Sequence, residues 1–204
     1  LVDSIVSVDR AWARWCVEHG LDPDEVLPKI HGRRAPESIA DVGPHLDQAA
    51  ALTRLTQIEA EETYDLSPVP GAIEFLSQIG QARWGLVTSG VRILAEARAA
   101  AGGIRIPDAR VFGEDVALGK PAPDPYLEGA RRLGLPPQDI VVFEDVAAGI
   151  ASARAAGCMA IGIGSTPIPG AHATVSDYRQ VVLSTKGDFF TLQVSPISES
   201  SSPR

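Results

Sequence analysis

Three short segments carry side chains that could handle a phosphate. Thr88-Ser89-Gly90 follows the apolar stretch 84–87 and precedes an Ala-rich stretch. A hydroxyl and free backbone N–H groups at a strand-to-helix junction can all donate to an anion. The same residues also make an ordinary helix cap. Lys120 stands in Gly119-Lys120-Pro121-Ala122-Pro123-Asp124, where two prolines stiffen the chain. Held there, its ammonium could neutralise a phosphate; a solvated surface lysine is the plainer role. Only Lys29, Lys120 and Lys186 are lysines, so one between prolines draws notice. Glu144-Asp145 directly follows the apolar run 140–143. Two carboxylates there are costly unless compensated, and Mg²⁺ is the natural partner. A cap plus a first-turn acid explains one of them easily and both less well.

These segments need a scaffold that brings them to one edge. From residue 68 onward, apolar strands at 84–87, 109–112, 140–143 and 160–163 alternate with helices at 91–101, 125–133 and 147–156. That alternation predicts an α/β fold: a Rossmann-like parallel sheet with flanking helices. In open α/β sheets ligands bind at the carboxyl ends of the strands, which is where the three segments fall. The chain before residue 68 reads as helical. Apolar residues at helical spacing cover Ile5 to Cys16, Gly20 ends that helix, and 23–30 forms a second. His31-Gly32-Arg33-Arg34 is a polar turn, and a longer helix runs over about 45–64. Residues 193–204 read as a disordered tail.

Composition narrows the functions. Acidic residues outnumber basic ones 26 to 18, a formal charge of −8, which argues against nucleic acid and anionic membrane as partners. No apolar run spans a membrane. Cys16 and Cys158 are far apart with no CxxC, which predicts no disulfide and no structural zinc, and places the protein in the cytoplasm. Trp12, Trp15 and Trp84 are expected to pack. There is no nucleophile elbow, Walker loop or dinucleotide fingerprint.

With Thr88, Lys120 in GKPAPDPYL and Glu144-Asp145 in VVFEDVAAGI, the sequence resembles the haloacid dehalogenase-like phosphohydrolases with an inserted all-helical cap. Within that superfamily, VTSGVR, HGRRAPESI and VFEDVAAGIASARAAGC are similar to segments of the glycerol-phosphate, 2-deoxyglucose-6-phosphate and sugar-phosphate phosphatases. The resemblance implies phosphoryl transfer through an aspartyl-phosphate, with Mg²⁺ as cofactor. It implies that Thr88, with Ser89 and Gly90, holds a phosphoryl oxygen. Lys120 neutralises charge, and Asp145 with Glu144 holds the metal. His31, Gly32, Arg33 and Arg34 become the candidate substrate-specificity contacts, against the plainer role of a solvated turn. The organisation expected is a motif tail at 1–4, the cap at 5–67, the core at 68–192 and the tail at 193–204.

The resemblance also implies a nucleophilic aspartate and an acid/base aspartate in a first motif, of which Leu1-Val2-Asp3-Ser4 matches the end alone. Asp3 and Asp9 fall after that motif. The expectation is a truncated, inactive chain whose sheet lacks its first, central strand. The expected function of the family is hydrolysis of a small sugar or polyol phosphate, by a monomer. A phosphosugar mutase on the same scaffold, or a non-catalytic binder of phosphate esters or a partner, are the alternatives.

Overall fold

The computed structural model describes residues 1–63, 65–80, 84–186 and 189–197. After β1 (Val2–Asp3) come four helices: α1 (Ile5–Glu18), α2 (Pro23–Ile30), α3 (Ala35–Val42) and α4 (Gln48–Glu61). Asp22 caps α2 by accepting from Asp24 N at 2.9 Å, and Asp47 caps α4 by accepting from Ala49 and Ala50 N at 3.1 Å. The single helix expected over 45–64 is therefore shorter, because the Asp47 cap sets its start. Gly43-Pro44 separates it from α3, which the sequence reading lacks. Tyr64, at the end of the expected helix, lies outside the described residues.

The four helices close around their own core. Trp12, Trp15, Cys16, Ile39, Leu55 and Ile58 are buried in it. Trp12 and Trp15 meet edge to face with ring centres 5.3 Å apart, and Trp15 Nε1 donates to Ala51 O at 3.0 Å.

The chain leaves the cap through β2 (Ser67–Pro68), which pairs antiparallel with β1, Val2 opposite Pro68. Entry and exit of the helical segment thus lie side by side. Then follow α5 (Ala72–Ile79), β3 (Leu86–Val87), α6 (Arg92–Ala101), β4 (Arg110–Val111), α7 (Asp124–Leu133), β5 (Val141–Glu144), α8 (Ala147–Ala155), β6 (Met159–Ile163) and β7 (Ala173–Val175). The expected α/β alternation is present, with every pairing among β3 to β7 parallel. β3 pairs with β4, and β5-β6-β7 form a second ladder. Among the described residues no ladder joins β3 to β5. A cavity of about 1010 Å³ lies there, lined by Leu86 and Val87 on one side and Val141 and Phe143 on the other. Trp84 also lines it.

A hairpin that the sequence reading lacks, β8 (Val181–Lys186) and β9 (Phe189–Val194), pairs Val181 with Val194. Its signal was available: VVLSTK and FFTLQV flank Gly187-Asp188, a pair that favours a two-residue turn. The expected disordered tail does not start at 193. β9 runs to Val194, Ser195 N donates to Gln180 O at 3.0 Å, and Ile197 N donates to Thr174 O at 2.8 Å. Residues 198–204 lie outside the described residues. Among the described residues no helix is long and apolar enough to cross a membrane.

Candidate active site

Each strand end delivers one piece of chemistry to the same hollow. After β3, the Thr88 hydroxyl accepts from Gly90 N at 3.1 Å, a tight local turn. Thr88 N is tied to Val111 O at 3.0 Å, and Gly113 N to Gly90 O at 3.0 Å, so β4 and the turn after it brace the loop. Ser89 Oγ donates to Gly32 O in the cap at 2.7 Å. Its hydroxyl therefore links the two parts of the molecule, and the residue also lines the hollow.

Lys120 is 5% exposed and α7 begins four residues after it. A buried ammonium must be paired. Its Nζ donates to Glu144 Oε1, the same oxygen that the Tyr126 hydroxyl donates to. The Lys120 ammonium also stands 5.2 Å from the centre of the Tyr126 ring. Burial, then the negative charge of Glu144, hold the Tyr126 phenol well above its ordinary range, so it stays a donor. The second Glu144 oxygen accepts from Asp145 N at 3.3 Å. Gly149 on α8 makes room for this carboxylate: a Cβ there would collide with it.

Glu144 is therefore engaged by lysine, phenol and amide, which differs from the metal role that the sequence reading gave it beside Asp145. The physical reason is charge: a buried ammonium and a buried carboxylate each need the other more than either needs solvent. Asp145, the next residue, also lines the cavity. Burial, then repulsion from Glu144, raise its pKa, the condition that a bound cation would relieve. One such carboxylate fits Mg²⁺, which binds through one or two carboxylates plus phosphate oxygens and keeps several waters. No group of three metal-ligating side chains occurs among the described residues.

Thr88, Ser89, Gly90 and Lys120 line the same cavity as Glu144 and Asp145. From the cap, His31, Gly32 and Arg33 reach it too. His31 Nε2 lies 3.3 Å from Asp9 Oδ1, and Arg33 pairs with Asp41 at 2.7 Å. Arg34 is not among the residues lining the cavity. Its guanidinium donates to three carbonyls of the α/β part, Gly113, Val116 and Ala117, and to Glu37. With its donors spent on the protein, the reading of Arg34 as a substrate contact gives way to a structural one.

Tyr126, Glu59 and Arg98 also line the cavity, and the sequence reading had singled out none of them. Tyr126 had a signal, since it follows the lysine segment in DPYL, one turn into an amphipathic helix. Glu59 and Arg98 pair at 3.0 Å between α4 and α6, from distant parts of the chain, and had none. Burial raises the Glu59 pKa against the opposing charge of Arg98.

Comparison with known proteins agrees with this geometry. The family model described as haloacid dehalogenase-like hydrolase matches residues 10–157. Hexitol phosphatase A of Escherichia coli (strain K12) is 46% identical over 168 residues, covering 80% of this chain and 78% of that protein. Glycerol-1-phosphate phosphohydrolase 2 of Saccharomyces cerevisiae is 36% identical over 156 residues, 71% of this chain and 62% of the yeast protein's length. The crystal structure of CbbY from Rhodobacter sphaeroides in complex with phosphate superposes with a TM-score of 0.74 at 23% identity, covering 87% of this chain and 90% of that one; at that identity it speaks for the fold. The cavity between parallel strands, the buried lysine at its edge and the match over most of the chain lead to one conclusion: the chain belongs to the haloacid dehalogenase-like hydrolases.

Proposed function

We propose that the cavity receives the phosphate of a small sugar or polyol monoester, and that the family reaction on it is Mg²⁺-dependent hydrolysis. The observation that carries this reading is the buried Lys120–Glu144–Tyr126 cluster, set at the same hollow as the Thr88 loop. Such a cluster holds one positive charge at a fixed point where an anion can reach it. Lys120 would donate to a phosphoryl oxygen, and the Thr88 hydroxyl with the Ser89 N–H would hold a second, the Gly90 N–H orienting that hydroxyl. Glu144 and Tyr126 would keep the ammonium from turning away. Asp145 would hold Mg²⁺; bound there, the ion adds positive charge opposite the phosphate. The relatives named for hexitol and glycerol-1-phosphate support a polyol ester as the substrate. They also favour hydrolysis over a mutase.

Turnover is a separate matter. Among the described residues, the carboxylates that end or directly follow a strand of the parallel ladders at the cavity are Glu144 and Asp145. Asp3 lies in β1 opposite Ser67, and Asp9 lies in α1 beside His31. The aspartate nucleophile that the resemblance implies has no candidate among them. The 204-residue chain by itself would thus bind the ester and leave it intact. Helical cap and α/β core would divide at about residues 67 and 68. Both cysteines are free and buried, which suits a reducing cytoplasm; a monomer is the state we propose there.

The test is direct. The purified chain with Mg²⁺ and glycerol 1-phosphate should release no phosphate, yet inorganic phosphate should bind by calorimetry. Lys120→Met should abolish that binding. Sustained phosphate release would overturn the inactivity, and equal phosphate binding by Lys120→Met would overturn the site.

A further inference from the structure

The cap turn that carries Gly32 and Arg34 grips both loops of the candidate site. Its Gly32 carbonyl accepts from Ser89 Oγ at 2.7 Å. Two residues on, Arg34 reaches across to the segment that leads into Lys120. Its Nη1 donates to Val116 O at 2.8 Å and to Gly113 O at 3.2 Å, and its Nη2 to Ala117 O at 2.8 Å. Its Nε donates to Glu37 Oε1 at 2.9 Å. That same carboxylate oxygen accepts from Gly119 N at 3.2 Å.

Gly119 immediately precedes Lys120 and lies flat against this pair. A Cβ on Gly119 would stand 2.7 Å from Arg34 Nε and 2.8 Å from Glu37 Oε2. The carbonyls that Arg34 binds belong to a tight turn and an irregular stretch, which lack a regular ladder of their own. A planar, five-donor guanidinium can satisfy several such carbonyls at once; an ammonium cannot. Burial raises the Glu37 pKa, but the Arg34 guanidinium and the Gly119 N–H outweigh it, so the net shift is downward and the carboxylate stays charged. Arg33, one residue earlier, pairs within the cap with Asp41 and makes no comparable bridge.

We infer that Arg34 and Glu37 are positioning residues for Lys120: the cap clamps segment 113–119 and thereby sets where the lysine's ammonium stands. Glu144 and Tyr126 hold the head of that flexible side chain, and the Arg34–Glu37 pair holds its root. Without the root, the backbone at Gly119 can swing and admit water to the ammonium. The meaning of this for phosphate rests on the function proposed above, whereas the clamp itself does not.

Competitive acetylation of the folded full chain with trace acetic anhydride, read by peptide mass spectrometry, tests the clamp without turnover. Lys29 is exposed and serves as internal reference. In the parent protein Lys120 should be protected. Arg34→Ala and Glu37→Gln should each raise the Lys120-to-Lys29 labelling ratio about tenfold, as loss of a charge-assisted hydrogen bond would do. Arg34→Lys should not restore protection. Gly119→Ala should raise the ratio from the other side of the contact, and adding Arg34→Ala to it should add little. Arg54→Ala, which removes a surface ion pair in the cap, should change nothing. Far-UV circular dichroism confirms that each variant is folded; should Arg34→Ala fail to fold, Glu37→Gln and Gly119→Ala decide. An unchanged ratio in folded Glu37→Gln and Gly119→Ala would overturn the inference. Raised ratios in a parent background that binds no inorganic phosphate would leave the clamp standing and remove the proposed site.

Discussion

The helical cap and the α/β core solve the burial problem differently. The cap closes its interior with near neighbours: α1 and α4 pack along each other and enclose Trp15, Leu55 and Ile58, all fully buried. Around that interior runs a belt of ion pairs, Arg10 with Glu62 and Asp65, Arg14 with Glu61, and Arg54 with Glu18. The core holds two parallel ladders apart across a cavity of about 1010 Å³. A helix satisfies its own backbone, whereas a strand depends on its neighbours. A helical segment can therefore complete itself within sixty-odd residues, whereas β3 and β5, with no ladder joining them among the described residues, each meet the cavity with an unpaired edge.

This contrast can be tested by substitution. Trp15→Ala should cost about 3–5 kcal/mol in urea unfolding, since it empties a closed interior and removes the indole's hydrogen bond to the Ala51 carbonyl. If it costs under about 1 kcal/mol, the cap is not the closed unit described. Leu86→Ala sits at the cavity wall, where neighbours on one side are already missing. It should cost about 1 kcal/mol, below the roughly 2–5 typical of a filled core. A full-sized loss there would mean that the cavity is packed in solution. The smallest effect concerns the charged belt. The hydrogen bond from Arg54 holds the Glu18 pKa at about 2, against an ordinary 4.5. A depressed carboxylate adds stability above its unfolded pKa and loses it as pH falls through the folded one. Glu18→Gln should therefore flatten the melting temperature against pH between 4.5 and about 2. Its effect at neutral pH should be slight, because exposed pairs contribute little. A variant curve that keeps the parent's slope over that range would show the belt to be inert.

Much of the core was legible because its signals are local. The strand ends before Thr88 and Glu144 are set by apolar runs that switch to polar residues, and α7 and α8 begin where proline or small residues follow. Asp22 and Asp47 mark helix starts by the same logic. The misses share a cause as well. α3 follows a basic turn whose N-cap, Arg34, makes no capping hydrogen bond, so the usual start signal is lacking. β8 and β9 alternate weakly and follow the last obvious helix, in a stretch read as core without elements of its own.

By itself the sequence determined the order of elements and which side chains stand at the strand ends, since both depend on neighbours a few residues away. The tertiary structure alone decided how the charges are used. Glu144 meets Lys120 from 24 residues away, and Arg34 meets Val116 from 82. A buried charge takes the partner that packing brings within reach, because solvent is no longer there to compete. That is why a carboxylate read as a metal ligand became the lysine's counter-ion, and an arginine read as a substrate contact became the cap's hold on the core.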